Sequence, residues 1–351
     1  MSPELLCLAV AVGETLETLD LSKGLFSRIN LSGGTFRKIN FSNADFRGSD
    51  LREAVFEECD LAGAMFTRAQ LRKAIFNKCR LERTDLRGAQ MHGVVMSQCD
   101  ASHAQFQQAL LSMAVLTKCK LDHASMQHVD LDTATLLECS LVDVNADGVN
   151  WCYTSVFECD LSHLTWKDST MQGVVFHKTR LVGKSFVGLK LDGCMFGFSD
   201  LSGADFSNVP MSKCNFQGAT LDGALFVGAQ APSALFCEAK SQGKMNFSNA
   251  NLRQALFTSA QIPGSIFTKA DLYQTHFAGA NLRMCDFRET ELTYADFRHA
   301  DVSNSDFRQS TLFRTCLHGT LTEGAQMTDR SKALETDPQL AEAENWRPLT
   351  N

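Results

Sequence analysis

Large apolar residues recur at every fifth position over most of this chain. The series runs from Leu16 to Phe236 and, after a shift of one residue, from Phe247 to Leu317, and none of these central positions is polar. In an amphipathic helix the apolar positions recur about every 3.6 residues, and in an amphipathic strand about every two. A period of five fits neither. It fits a chain that turns a corner after each short side and points one large side chain inward.

A second period of twenty residues indicates four sides per coil. Six cysteines lie twenty apart, and each stands two residues before a central position; they are Cys59, Cys79, Cys99, Cys119, Cys139 and Cys159. Elsewhere this preceding position is mostly Ala, Ser, Thr or Val. The sequence therefore predicts square coils of about 20 residues, each rising by roughly 4.8 Å, with one large and one small residue inside each side.

Units such as Ala-Asp-Phe-Arg-Gly (44–48), Ser-Asp-Leu-Ser-Gly (199–203) and Ala-Asp-Phe-Ser-Asn (204–208) resemble the pentapeptide-repeat consensus A(D/N)LXX. The resemblance extends over residues 16–317. It implies an all-β fold, a right-handed quadrilateral β-helix (a pentapeptide-repeat solenoid) of about fifteen coils. In that family, the central residue and the residue two before it point inward.

The pattern divides the chain into five segments. Residues 1–15 form an N-terminal cap, 16–236 a first solenoid block, 237–246 a frame-shift loop or bulge, 247–317 a second block, and 318–351 a C-terminal tail or cap. In the tail, Asp337-Pro338 predicts the start of a short helix over Gln339–Asn345, carrying Leu340 and Trp346. The tail serves as a cap, a dimer contact or a partner contact, and the bulge either projects or simply accommodates one extra residue.

Composition favours a cytoplasmic protein. The net charge is a mild −7, and there is no twenty-residue apolar span or secretion signal. Thirteen cysteines raise the question of disulfides or zinc. Their odd number, the inward twenty-residue column and the lack of a C-x-x-C pair favour buried reduced thiols instead.

We find no motif that indicates catalysis, and we expect a non-enzyme with no cofactor, no metal and no small-molecule substrate. A filled coil has no cleft in which a nucleophile, a base and an oxyanion site could converge. His103, His123, Asp143 and His163 share a twenty-residue column at outward corners. Stacked imidazoles and a carboxylate can hold a metal, but solvated surface residues explain the column more simply.

The charge composition also argues against nucleic-acid binding. Seven cations lie between residues 68 and 87, but acids dilute them and the whole chain is acidic. The cations are Arg68, Arg72, Lys73, Lys78, Arg80, Arg83 and Arg87. We interpret this segment as a mixed-charge solvated surface, and we expect no membrane contact.

The candidate protein-binding patch lies in the least regular stretch, residues 137–190. Outward positions that are polar elsewhere become apolar here, namely Leu137, Val142, Phe157, Val182 and Val187. Leu137 and Phe157 are twenty apart and should stack. Lys184 takes an inward position, and Trp151 and Trp166 are central residues. A contiguous apolar patch marks an interaction site, and local distortion with rearranged packing is the alternative.

These features favour a non-enzymatic protein-interaction scaffold or adaptor. At family level the chain resembles accessory proteins of bacterial type VI secretion systems, which implies a secretion component or an effector as partner. The alternative is a DNA-mimicking inhibitor or protector of DNA gyrase or another DNA-binding enzyme, as some pentapeptide-repeat proteins are. That role implies a strongly acidic surface, whereas bases nearly balance acids here. The sequence leaves the oligomeric state open.

Overall fold

A computed structural model describes residues 1–346, in two compact units that meet in sequence between Arg180 and Leu181. Both units are built from four-sided coils joined by parallel β-pairing, about 16 coils in all. The predicted pentapeptide-repeat solenoid, with a short C-terminal helix, is confirmed. Neither described helix is long or apolar enough to cross a bilayer.

The first unit begins with helix α1 (Pro3–Ala11), where the Ser2 side chain caps the first turn and Leu6 is buried. One side of its coils forms a nine-stranded parallel sheet in sequential order. The strands are β1 (Thr15–Glu17), β2 (Thr35–Arg37), β3 (Val55–Glu57), β4 (Ile75–Asn77), β5 (Val95–Ser97), β6 (Val115–Thr117), β7 (Thr135–Leu137), β8 (Ser155–Phe157) and β9 (Val175–His177). The other three sides pair through single β-bridges.

The second unit holds mostly single bridges and one two-stranded parallel sheet, β10 (Asp306–Phe307) with β11 (Gln326–Met327). Its coils continue beyond Leu317, the predicted last central residue. Cys316 bridges to Leu334, so the chain makes a further coil here in 18 residues rather than 20. Helix α2 (Pro338–Asn345) follows, with Asp337 as its cap. Trp346 lies just beyond the helix and is highly exposed.

Nearly every corner is closed by a residue with left-handed backbone conformation, two positions after the central residue. Glycine fills many of these corners, but so do Lys, Arg, Glu and His, for example Lys23, Arg68 and His103 at φ of 56–60°. This conformation costs a non-glycine residue roughly 1 kcal/mol. The backbone hydrogen bond to the next coil compensates for that cost, as in the bond from Lys23 N–H to Ser42 C=O at 2.8 Å.

The interior is a stack of apolar side chains. In the second unit, Phe206 lies between Phe186 and Phe226, with ring centroids 4.5 and 4.8 Å away and nearly parallel planes. The coil rise of roughly 4.8 Å is also a favourable aromatic stacking distance. Alternate sides place these ladders edge to face, as between Phe206 and Phe216.

The six cysteines predicted to point inward are buried, reduced thiols. Each donates weakly to the carbonyl of a central residue in the preceding coil, as from Cys59 Sγ to Phe36 O at 3.4 Å. Thr179 takes the next place in this column and donates to Val156 O in the same way. Burial raises the pKa of a comparable thiol in the second unit, Cys285, to about 12, so such thiols stay protonated at neutral pH.

The frame shift is narrower than the predicted segment 237–246. Ser241 takes the next central position and is buried, and the extra residue falls within 242–244. Pairing changes from twenty residues at Thr220–Lys240 to twenty-one at Leu225–Asn246, and it returns to twenty at Asn246–Ile266. The backbone N–H groups of Gln242 and Gly243 bind the Asp222 carboxylate at 2.5 and 3.4 Å. One corner thus absorbs the insertion.

We expect Phe206→Asp to prevent stable folding of the second unit, because it would bury an unpaired charge inside the aromatic ladder. A destabilisation of at least about 4 kcal/mol is expected. Urea unfolding followed by far-UV circular dichroism measures it. The matched control is Asn208→Asp at the adjacent outward corner, which should leave the unfolding midpoint nearly unchanged. Similar losses in both variants would refute the assignment of inward and outward positions.

Candidate protein-binding face

The outer face of sheet β1–β9 carries a ladder of β-branched residues. It occupies the position just before each central residue, and the members directly aligned are Val55, Ile75, Val95 and Val115. Ile75, Val95 and Val115 are 36–39% exposed, which is high for aliphatic side chains. β-Branched residues suit this face because neighbours in parallel strands pack side by side.

A second ladder lies on the same face. In β7 and β8 the position before the central residue is polar, and the position after it is apolar. The second ladder occupies the position just after each central residue, and there Leu137 of β7 is aligned with Phe157 of β8. The Phe157 ring also lies 6.1 Å from the ring of His177 in β9. The two predicted residues therefore do stack, and they extend the Val55–Val115 ladder along the same sheet. We call these six residues the sheet-face stripe.

Charge pairs flank the stripe. At the N-terminal end, Arg37 contacts both Glu17 and Glu57, at 3.7 and 3.4 Å. Along the adjoining corner, opposite charges pair across successive coils as Lys38–Glu58, Lys118–Glu138 and Lys178–Glu158. These pairs are exposed and add little stability. They do give the apolar stripe a polar border.

The other predicted patch residues do not join this stripe. Val142 is 41% exposed, but it follows the central residue Leu141. It therefore lies at the end of the coil side that comes after the β7 side. Val182 and Val187 belong to the second unit and follow central residues of two different sides. Lys184 is buried at its inward position, and Trp151 and Trp166 are buried central residues, as predicted.

Aspartate–arginine pairs dominate other sides of both units. In each pair the arginine lies two residues after the aspartate and binds it through two nitrogens, as Arg47 binds Asp45 at 2.9 and 2.7 Å. The same arrangement occurs at Asp50–Arg52, Asp85–Arg87, Asp286–Arg288, Asp296–Arg298 and Asp306–Arg308. The hydrogen bond from Arg47 lowers the pKa of Asp45, and Arg288 does the same for Asp286.

The basic segment of residues 68–87 is divided among different sides. Arg80 pairs with Asp60 at 2.9 Å and Arg87 with Asp85 at 2.7 Å. Lys78 lies at the corner after the strand side. Arg68 and Arg87 line one groove with Arg28 and Arg47, whereas Arg72 and Lys73 line another. The cations therefore do not form one continuous stripe of the kind that a phosphate backbone requires.

The predicted histidine column stacks without forming a three-ligand group. The rings of His103 and His123 are 4.9 Å apart, and His123 Nδ1 lies 3.7 Å from Asp143 Oδ2. Among residues 1–346, the group of three ligand atoms near enough to share a metal lies elsewhere, at His299, His318 and Glu344.

Sequence reasoning missed two of these features for different reasons. The Val55–Val115 ladder could have been predicted from the sequence, because its members lie twenty residues apart, as the cysteines do. The His299 group had no such signal, since Glu344 reaches it only through the placement of α2.

Comparison with known proteins places the chain in a family. A model of pentapeptide repeats matches residues 25–63, 39–76, 169–208, 244–272 and 270–309, and a model of the pentapeptide repeat region matches residues 69–146. Together these ranges cover more than half of the chain, so the protein belongs to the pentapeptide repeat family. Comparison with curated proteins gives no match.

Two solved structures are similar in fold. A trypsin-treated form of QnrB1, a plasmid-mediated fluoroquinolone resistance protein, is 23% identical with a TM-score of 0.39, over 51% of this chain and 89% of that one. HetL, a pentapeptide repeat protein involved in heterocyst differentiation regulation from the cyanobacterium Nostoc sp., is 20% identical with a TM-score of 0.23, over 90% and 96% of the two chains. Similarity at this level carries no argument about function.

The aspartate–arginine pairs predict acid sensitivity. Because folding lowers the pKa of Asp45, Asp50, Asp85, Asp286 and Asp306, their stabilisation is present above the unfolded pKa of about 3.9 and is lost as the pH falls through the lowered values. The urea midpoint should hold between about pH 7 and 5 and fall below about pH 4.

Removing two of the arginines tests the cause of that fall. Arg47→Gln with Arg288→Gln should flatten the decline below pH 4, because the freed aspartates then titrate closer to their unfolded values. Arg72→Gln is the control, since no ion pair is seen for Arg72 among the described residues. An unchanged pH profile in the double variant would show that other groups govern acid unfolding.

Proposed function

We propose that the protein is a non-enzymatic protein-binding scaffold and that the sheet-face stripe is its docking surface. The observation that carries this proposal is the succession of apolar residues along the sheet. The ladder from Val55 to Val115 is aligned strand by strand, and Leu137, which is aligned with Thr117, lies one diagonal step from Val115. The stripe residues occupy six successive strands, β3 to β8, which corresponds to roughly 24 Å of sheet. Exposed apolar surface that is continuous and bordered by charge is typical of a protein interface, whereas single exposed apolar residues are ordinary.

The energetics favour a partner that covers the whole stripe. Each aliphatic side chain is already more than half buried by its neighbours, so covering the remainder contributes on the order of 1 kcal/mol. Such contributions produce useful affinity only when several act together. The partner should therefore present an extended apolar surface, with charges that complement the alternating Lys–Glu border.

Parallel pairing also makes this face suitable for a scaffold. The backbone groups of β2 to β8 pair with strands on both sides, so a partner contacts side chains rather than adding a strand. Because each side chain is fixed by the coil repeat, binding costs little conformational entropy.

Within this proposal, we assign the partner to the type VI secretion class, as a secretion component or an effector that the scaffold helps to load. The support is the family-level resemblance of the repeat units. Co-purification with such components is the test of this finer assignment, and recovery of unrelated partners would reject it while leaving the scaffold proposal intact.

The charge arrangement disfavours the alternative, mimicry of DNA toward gyrase or another DNA-binding enzyme. A duplex mimic needs sustained negative potential along its surface. Here Asp45, Asp85 and Asp286 each carry an arginine partner at 2.6–2.7 Å, which neutralises the acid locally.

The docking surface is tested with Leu137→Lys combined with Phe157→Glu. The aligned positions would then carry opposite charges, so the sheet should tolerate the change while losing its apolar contact. Tagged protein is incubated with native lysate, and the captured partners are quantified by mass spectrometry. We expect at least about a tenfold loss of the specific partner, equal to about 1.4 kcal/mol.

The control is Leu110→Lys, which changes an exposed leucine on another side of the same unit. It should leave capture unchanged, and both variants should keep the parent far-UV spectrum. Equal capture by the parent and the double variant would remove the stripe as the docking surface.

A further inference from the structure

Two histidines and a glutamate converge where α2 meets the last coils of the second unit. His299 and His318 lie at neighbouring corners, and Glu344 comes from the last turn of α2. The two carboxylate oxygens contact different rings: Oε1 lies 3.3 Å from His299 Nε2 and Oε2 lies 3.2 Å from His318 Nε2. All three ligand atoms lie within 4.8 Å of one another.

We propose that His299, His318 and Glu344 form a zinc site. Zinc takes imidazole nitrogen and carboxylate oxygen at about 2.0–2.2 Å in tetrahedral geometry, which separates ligand atoms by roughly 3.3 Å. The two nitrogen–oxygen contacts, each to a different oxygen of Glu344, are close to that value, and the three ligand atoms, which lie within 4.8 Å of one another, need to close slightly around one ion. Three protein ligands leave a fourth position for water or for a group from another molecule.

The site is held from several directions. The His318 side chain is only 4% exposed, whereas those of His299 and Glu344 are 53% and 39% exposed, so the site is anchored on one side and open on the other. The His299 ring packs directly over Gly319, where an added Cβ would lie 2.5 Å from its Nδ1.

Zinc binding requires one proton to move. In the metal-free protein, His318 Nδ1 accepts the Asp337 N–H at 3.1 Å, so the ring proton is on Nε2 and is donated to Glu344. Coordination through Nε2 transfers that proton to Nδ1, with no net release from the neutral ring. The new Nδ1–H and the Asp337 N–H are then both donors, so a water must enter between them and accept from each, and it can reach them because Asp337 is exposed. Zinc therefore exchanges one backbone hydrogen bond for a metal–nitrogen bond.

The site would fix α2 to the coil end. No described residue of α2 is buried, and the helix carries exposed Leu340 on its surface. Its polar contacts to the coil include those of Glu344 and the Asp337 N–H. A metal that bridges Glu344 and the two coil histidines would replace loose polar contacts by coordinate bonds.

The test is titration of the tag-free, chelator-treated full chain with ZnCl2 by calorimetry, with Co2+ absorption as a report of tetrahedral ligands. We expect one ion per chain. Loss of a ligand in His299→Ala or Glu344→Gln should weaken binding by at least about tenfold. Both positions are partly exposed, so these variants should fold.

The matched control is His123→Ala, which removes an imidazole from the His103–His123–Asp143 column and should leave the affinity unchanged. In the parent protein, nitrogen-15 NMR of the imidazoles should show the His318 proton moving from Nε2 to Nδ1 when Zn2+ is added. Lack of stoichiometric binding, or equal weakening in His123→Ala and His299→Ala, would overturn the proposal. A Zn2+ complex without the tautomer change would overturn the assignment of His318 as a ligand.

Discussion

The alignment of large inward side chains at one coil rise is the interaction on which the rest of this structure depends. Phe216 stacks on Phe196 and Phe236 at 4.9 and 4.8 Å, and the planes are almost parallel. The same distance is the spacing of hydrogen-bonded strands. Aromatic stacking and backbone pairing therefore favour the same rise, and a side chain of the wrong size at one central position disturbs both.

This alignment also governs the surface. If central residues stack in register, every outward position stacks in register too, so neighbours on the surface are residues twenty apart in sequence. Like charges would then repel along a column, and one column alternates them, as in Asp60–Arg80 and Asp100–Lys120. Where like charges are aligned, as at Asp286 and Asp306, each aspartate pairs with an arginine of its own coil. Where a column is apolar instead, as in the Val55–Val115 ladder, the alignment turns single exposed residues into a continuous surface. A partner would contact the side chains of such a column rather than a continuous sequence motif.

The same logic explains how much could be predicted. The five- and twenty-residue periods predict the coils, the inward cysteines and the stacking of Leu137 on Phe157, because each depends only on position within the repeat. The Asp337-Pro338 start of α2 is a local signal and is also confirmed. Leu137 and Val142 follow central residues on different sides of the coil, which the five-residue period alone does not distinguish, and the assignment of Val182 and Val187 to the patch stays a prediction. The left-handed corners at Lys23 or Arg68 oppose local preference and arise from the backbone bonds between coils.

The ends of the repeat differ physically from its interior, and this difference is why the His299 group escaped prediction. Within the ladder, an irregularity is absorbed where it occurs, as the extra residue near Gln242 is absorbed by one corner and the Asp222 carboxylate. Beyond the ladder, register no longer dictates the neighbours of a residue. The 18-residue final coil and α2 are free of the repeat, so they bring Glu344 to His299 across 45 residues. The two histidines come from successive coils, and the third group, Glu344, comes from a terminal helix that lies outside the repeat.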